Sequence, residues 1–370
     1  MHPVAVRILH PASRDLEPLE RALFDARTEN ADRLAVLFHA AGAADVEIVH
    51  DSRPRGTFGA AVRTIVQAIE RGGLVLLGSG AIPLATAADV AALVAVGASA
   101  ERRALANNRY SADVVAIGDA SALRDLPELP GDNALPRWLE EVAGFEVTDL
   151  RRRWRLAVDL DSPLDVLLAG SRPRPPGRPR APGQPLPGFD VAAVGERLAA
   201  IQTVAGDRRG QLVVTGRTSA TTLRWLERRT AARVRALVEE RGLRASSTAA
   251  LGGTAAPGGD PALPRRPPRS ILGMVLDDRG PEALGRVLAE LGDAAIVDSR
   301  VLLAHRLGVD EGAWPRPEDR FASDLLLPAR VADPWLRALT AAALGAPIPV
   351  LLGGHSLVGP GVRLALGARP

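Results

Sequence analysis

The chain has 370 residues, 46% of them hydrophobic, and its 46 basic residues, all arginine, stand against 43 acidic ones for a net charge of +3, with no cysteine. The missing lysine amine excludes a Walker A loop, pyridoxal-phosphate chemistry and Schiff-base aldolase chemistry, and the missing thiol excludes disulfides, thiolate nucleophiles and iron–sulfur clusters. The sequence pI of about 10.5 follows from having almost nothing that titrates between neutral pH and arginine, so a nucleic-acid partner is not expected.

In chain order, apolar runs of strand length at 4–9, 46–49 and 74–77 alternate with helical patterns through 34–41 and 60–69. That alternation predicts βαβ units and a mainly parallel sheet flanked by helices, an α/β fold. Thr86 with Asp89 three residues on has capping-box spacing and opens the next helix. The most apolar stretch, 84–100, contains Asp89 and runs into Glu101-Arg102-Arg103, so it reads as a buried helix and not as a membrane span. Strands are expected at 114–117, near 146–149 and at 156–160, with a helix over 135–142. Ser162-Pro163-Leu164-Asp165 offers an N-cap, a proline at the first helical position and an acid at the third, so another helix begins there.

The proline-rich stretch 171–188 holds Arg172, Arg174, Arg178 and Arg180 with no acid and reads as an extended linker. It divides a first domain, 1–170, from a second, smaller α/β domain, 189–370. In the second, 211–215 reads as a strand, 218–241 as one long arginine-rich helix, 245–268 as a disordered insertion, and 294–297 and 348–352 as buried strands. Residues 1–20 have no apolar core of signal-peptide length, so a cytoplasmic location is expected.

Several stretches could carry chemistry. Gly78-Ser79-Gly80 follows a buried strand, where small residues let backbone amides approach a phosphate; a tight turn without a ligand is the plain alternative. Asn107, Asn108 and Arg109, with Asp132 and Asn133, suit the reading of a sugar or base, although Asn and Asp also favour turns and caps. Arg217 and Thr218 sit after a strand and a glycine, as a phosphate site or as part of an ordinary N-cap. His355, expected in a loop at a strand end, is the best placed of the histidines for acid–base work. Alternation along a strand would put Asp159 and Asp161 on one face, where two carboxylates could hold a hard divalent cation that bridges to phosphates.

The order of a Phe58-Gly59-Ala60-Ala61 helix, a Leu74-Val75-Leu76-Leu77-Gly78 strand, a Pro83-Leu84-x-Thr86-x-x-Asp89 helix start and a late Asp159-x-Asp161-Ser162-Pro163-x-Asp165 resembles the GT-A-type nucleotidyltransferases. Within that superfamily it is most similar to the molybdenum-cofactor and phospholactate guanylyltransferase groups, over about residues 1–170. The resemblance implies a nucleotide-diphospho-sugar-transferase-like fold and transfer of a nucleotidyl group to a phosphorylated acceptor, with Mg²⁺ on Asp159 and Asp161. Two departures accompany it. Leu9-His10-Pro11-Ala12-Ser13-Arg14 contains no glycine where the family has a Gly-rich loop, and Ala81 stands where it has an acidic metal ligand. Either Arg14, Arg27 or Arg55 carries the triphosphate charge, or the domain is a non-catalytic nucleotide- or sugar-phosphate-binding module.

Overall fold

In the first half of the chain the apolar strand residues are buried on both sides of their sheet, which requires helices on each face. The computed structural model describes residues 2–13, 15–50, 57–69, 71–129, 131–170, 186, 188–239, 269–308 and 311–368. Nearly all of the expected linker, the expected insertion at 245–268, and Arg14 and Arg55 lie outside the described residues. The chain divides into two compact units, residues 1–16 with 21–160 and residues 17–20 with 161–369.

The first unit is built on strands β1 (Val4–His10), β2 (Asp45–His50), β3 (Gly73–Gly78), β4 (Arg103–Ala106), β5 (Val114–Ile117) and β6 (Glu146–Asp149), in the spatial order β2-β1-β3-β5-β4-β6. Neighbours are parallel except at β5, which runs antiparallel to both β3 and β4. Its helices are α1 (Pro18–Ala40), α2 (Phe58–Gln67), α3 (Ala87–Gly97) and α4 (Leu135–Glu141). Alternate side chains of each strand part to opposite faces. Val4, Val6, Ile8, Val75 and Leu77 join Leu34 and Phe38 of α1 and Val90 and Leu93 of α3. Ala5, Leu74 and Leu76 join Val62 and Val66 of α2 and Leu135 and Leu139 of α4.

The mainly parallel, helix-flanked sheet agrees with the sequence reading, and so does the capping box, in which Thr86 Oγ1 accepts from Asp89 N at 3.3 Å while Asp89 accepts from Thr86 N at 3.0 Å. Three local expectations are corrected. Helix α1 begins at Pro18, far before residue 34, because its buried positions Leu19, Leu23, Ala31, Leu34 and Phe38 follow helical spacing across intervening charged residues. The strand β4 was not expected. The segment 156–160 is no strand: it enters through a 3-10 turn at Trp154–Ala157 and makes only an isolated bridge between Asp159 and Ala81.

The cause of that last departure is Asp89. Its carboxylate accepts from Arg153 and Arg155, each at 2.8 Å. Burial works against its charge, but the bonds from Thr86 and the two guanidiniums prevail and bring its pKa down to about 2. The chain just before Asp159 is thereby pinned as a turn.

The second unit holds a parallel sheet of β7 (Gln211–Gly216), β8 (Arg233–Val238), β9 (Ala294–Asp298) and β10 (Val350–Gly353), in the order β10-β9-β7-β8. Its helices are α5 (Pro163–Gly170), α6 (Ala192–Gly206), α7 (Ala220–Arg229), α8 (Ile271–Arg279), α9 (Leu284–Leu291), α10 (Ser299–Leu307), α11 (Pro317–Asp324), α12 (Pro334–Leu344), α13 (His355–Val358) and α14 (Gly361–Ala365). The helix expected over 218–241 is α7 followed by β8, since the chain turns at Thr230-Ala231-Ala232 and the next residues alternate exposed Arg233 and Arg235 with Val234 and Ala236. Residues 161–170, expected in the first domain, group with the second unit because α5 packs on α11 and α14. Among the described residues, no helix is long and apolar enough to cross a membrane.

Candidate functional site

In open α/β sheets ligands bind beyond the carboxyl ends of the strands. In the first unit that edge carries the ends of β1 and β3 and, because β5 is reversed, its beginning: Gly78 N donates to Asp113 O, one residue before β5, at 3.3 Å. Between these ends lies a cleft of about 150 Å³ lined by Leu9, Pro11, Arg27, Gly78, Ser79, Gly80, Ala81, Asp113, Asp132 and Asp159. Three acidic residues and one arginine thus line the cleft beside the loop of small residues.

The loop is held from behind by α1. Asn30 Nδ2 donates to Ser79 O at 2.8 Å and to Ala81 O at 3.0 Å. Arg33 fixes the Asn30 amide by donating to its Oδ1 at 2.9 Å, and reaches Ile82 O at 3.1 Å and Ala85 O at 3.2 Å. Two side chains therefore turn four loop carbonyls towards the helix. The conformation they impose includes a fully buried Ile82 at φ +44°, in the left-handed region that β-branched residues avoid. Strain of this kind persists where surroundings over-determine it, and it concentrates at functional sites.

Gly80 is where the acid, the base and the loop meet. Leu160 N donates to Gly80 O at 3.0 Å and to Asp159 Oδ1 at 2.9 Å, and Arg27 Nε donates to Leu160 O at 2.8 Å. A Cβ on Gly80 would stand 2.8 Å from Asp159 Oδ1, 3.1 Å from Arg27 Nε and 3.1 Å from the backbone Leu160 O. The first two of these atoms' side chains can give way, so Gly80→Ala is expected to fold, with a melting temperature within about 2 °C of wild type, while swinging Asp159 and Arg27 out of position; nuclear magnetic resonance shifts confined to the cleft would check this, and global unfolding would contradict it.

His10 closes the β1 end beside this cleft. It is 1% exposed, stacks on Phe24 with ring centroids 4.5 Å apart, and shares a hydrogen bond with Thr28 at 3.2 Å. Burial first, then the neighbouring His50 and Arg27, holds its pKa below the usual histidine value. It is therefore neutral near pH 7 and supplies no positive charge at this edge of the sheet.

The other expected residues fall into two groups. Gly78, Ser79, Gly80, Asp132 and Asp159 come together in the cleft, with Arg27 and Asp113. Asn133 is exposed on the 3-10 turn Asp132–Ala134, and neither it nor Asp132 caps α4. Asn107 is 1% exposed and fully engaged inside the unit, donating to Asp113 Oδ2 at 2.7 Å and Leu156 O at 2.9 Å while accepting from Asp113 N. Asn108 accepts from Tyr110 N in a local turn, and Arg109 pairs with Glu140 and donates to Val147 O. These three act as braces of the β4–β5 connection and do not line the cleft.

Asp161 groups with the second unit, where its N–H donates to Asp165 Oδ2 at 3.2 Å. The alternation that would have placed it on one face with Asp159 is absent, because no strand forms there. Arg217 is committed to a bidentate pair with Asp298, at 2.7 and 3.1 Å, and Thr218 Oγ1 donates to Val358 O at 2.7 Å; Ser219 is the cap of α7. The phosphate-site reading of Arg217 and Thr218 is thus replaced by internal bonds. His355 is exposed as the first residue of the one-turn α13, one residue after the end of β10.

Among the described residues no three histidine, aspartate or glutamate side chains converge as a metal-binding group. Hard oxygen donors are nevertheless present in Asp113, Asp132 and Asp159, and Mg²⁺ is commonly held by one or two carboxylates with phosphate oxygens and water completing the shell. The donor set fits a cation that arrives with an anionic ligand. No protein-family model and no curated protein sequence matches this chain.

Proposed function

We propose that the first unit binds a nucleoside triphosphate or a sugar nucleotide as its Mg²⁺ complex in the cleft at Gly78–Gly80 and transfers the nucleotidyl group, or the sugar, to a small phosphorylated acceptor, with pyrophosphate or the nucleoside diphosphate as the leaving group. The observation that carries this reading is the gathering of Asp159, Asp132, Asp113 and Arg27 around a strained small-residue loop at the carboxyl edge of a mainly parallel sheet. Three carboxylates against one arginine would repel a bare polyphosphate, whereas a cation-complexed one satisfies both. Transfer of this kind rests on positioning and charge neutralisation and needs neither lysine nor thiol. The roles assigned to the chain are to Asp159 as the carboxylate towards the cation, Arg27 as the guanidinium towards phosphate oxygens, and the Ser79-Gly80 backbone as the surface a phosphate approaches.

A second reading, binding without turnover, has one observation in its favour. Ala81 takes the position of an acidic ligand in the resembling family, and it is buried and bridged through its backbone to Asp159. A thermal-shift panel of nucleoside triphosphates and sugar nucleotides with and without 5 mM Mg²⁺ separates the possibilities. Stabilisation of about 2 °C or more is expected only with Mg²⁺ and is expected to vanish in Asp159→Ala. Stabilisation without product on any acceptor would leave the second reading, and a flat panel would overturn both.

A further inference from the structure

The small net charge of the chain conceals an uneven surface in the second unit. Most described arginines elsewhere are tied up, as in Arg217–Asp298, Arg300–Asp324, Arg153–Asp89 and Arg109–Glu140. Arg208, Arg209, Arg228, Arg229, Arg233 and Arg235 are exposed and, among the described residues, form no ion pair. They come from three separate segments that backbone bonds draw to one corner, the amino end of β7 and β8. Ala231 N and Ala232 N donate to Ala205 O at 2.8 and 3.2 Å, which brings the end of α7, with Arg228 and Arg229, to the end of α6. Arg233 N donates to Gly210 O at 2.9 Å and Arg233 sits opposite Gln211, so it lies beside the turn that carries Arg208 and Arg209. Arg235 follows on the same face of β8, an edge strand of the sheet.

The acids around this corner are Asp207, Glu227 and Asp293, and two of them already accept backbone N–H groups, from Arg209 and Gln211. Between the arginines stand only Thr230, Ala231, Ala232 and Val234, with no exposed large apolar residue. A protein interface carries an apolar core inside its polar rim, and this corner has none. Guanidinium groups match phosphate oxygens in bidentate geometry, and binding to a phosphate backbone needs positive charge and no apolar contact.

We infer that this arginine corner is a docking surface for the phosphate backbone of a nucleic acid, read without regard to sequence. The surface lies in the second unit and does not depend on the function proposed for the first. Charge on an edge strand also discourages strand addition, but that role asks nothing of Arg208, Arg209, Arg228 and Arg229, which lie on turns and a helix end.

The test is fluorescence anisotropy of the full chain with a 20-base-pair DNA duplex and a 20-nucleotide RNA between about 50 and 200 mM salt. Five phosphate contacts predict a slope of log affinity against log salt of about −4.5 on the duplex. Arg228→Ala, Arg229→Ala and Arg233→Ala together are expected to weaken binding at least tenfold at 50 mM salt and to flatten the slope by about 3. Arg228→Gln with Arg229→Gln, which leaves β8 intact, should give an intermediate loss with an unchanged melting curve. Arg137→Ala with Arg152→Ala, exposed unpaired arginines of the first unit, should change nothing. Unaltered affinity in the corner variants, or loss on substituting Arg172, Arg174, Arg178 and Arg180 instead, would overturn the inference. Binding of polyglutamate or phosphatidylserine vesicles in preference to both nucleic acids would overturn it in favour of an acidic protein or a membrane.

Discussion

Asp165→Asn is expected to make the protein more stable at pH 8.5 by several kcal/mol while leaving its stability at pH 4 nearly unchanged. Asp165 is 4% exposed, accepting from Asp161 N at 3.2 Å and Ser162 Oγ at 2.8 Å at the start of α5. Nearby stand two more buried carboxylates, Asp298 and Asp324, and two guanidiniums, Arg217 and Arg300, and each guanidinium is taken bidentate by one of those two. Asp165 is the carboxylate left over. Burial, and then the charge of Asp161, push its pKa up from 3.8 to about 7, against the pull of Ser162 and Ser356. With the folded pKa above the unfolded one, the folded state holds a proton that the unfolded state has lost throughout the window from about 4 to about 7. Stability therefore falls as pH rises across that window and levels off above it. A gap of about three pH units corresponds to a loss on the order of 4 kcal/mol. An asparagine keeps the oxygen that accepts from Asp161 and Ser162 and carries no charge, so its stability should lack this slope. Denaturant midpoints at pH 4, 6 and 8.5, followed by the fluorescence of Trp225, Trp314 and Trp335 in the second unit, would show it. An Asn variant less stable than wild type at pH 8.5 would mean that the ionised carboxylate is at home in its bonds.

Which parts of this molecule could be read from its sequence depended on how far the deciding interaction reached. The capping box of Thr86 and Asp89 is three residues wide, and the β3 run is continuous, so the helix start and the loop Gly78–Gly80 were both legible. The alternation of 156–160 was overridden by Asp89, sixty-four residues before the Arg153 that it holds. β8 was concealed by helix-forming residues on both sides of a turn that contains neither glycine nor proline. In the cleft, Asp132 and Asp159 were visible as candidate acids. Asn30 and Arg33 were not, because nothing in the charged middle of α1 marks two residues that clamp a loop about fifty positions later.

Polar residues at strand ends posed the hardest question, since the same side chain can face a ligand or a distant partner. Arg217 and Asn107 were both credible ligand contacts from their neighbours alone. Arg217 meets Asp298 eighty-one residues on, and Asn107 is surrounded by Asp113 and Leu156. Asp159 remained at the cleft because its backbone, through the bridge to Ala81, holds the carboxylate at the rim of the loop. The first two aspartates of the late motif thus part company, Asp159 at the cleft and Asp161 at the start of α5.

Breaking the pair between Arg300 and Asp324 is expected to cost about 3–5 kcal/mol, and removing both partners much less. Arg300 Nη1 and Nη2 donate to the two Asp324 oxygens at 2.7 and 2.6 Å, with side chains 11% and 0% exposed. Burial outweighs the guanidinium and holds the Asp324 carboxyl above its usual range, so the pair offsets a desolvation penalty and is not itself a source of net stability. Asp324→Leu would leave the guanidinium buried with Asp298 and Asp165 nearby but without its bidentate partner, and Arg300→Met would leave the Asp324 charge with only the more distant Arg320 guanidinium. Arg300→Met combined with Asp324→Leu fills the same space with apolar atoms and should recover most of the loss, to within about 2 kcal/mol of wild type. The coupling read from that double-mutant cycle by equilibrium denaturation should therefore be large and favourable. Additive losses would show that the two charges are solvated independently in the folded protein and that the pairing at the carboxyl edge of this sheet contributes nothing of its own.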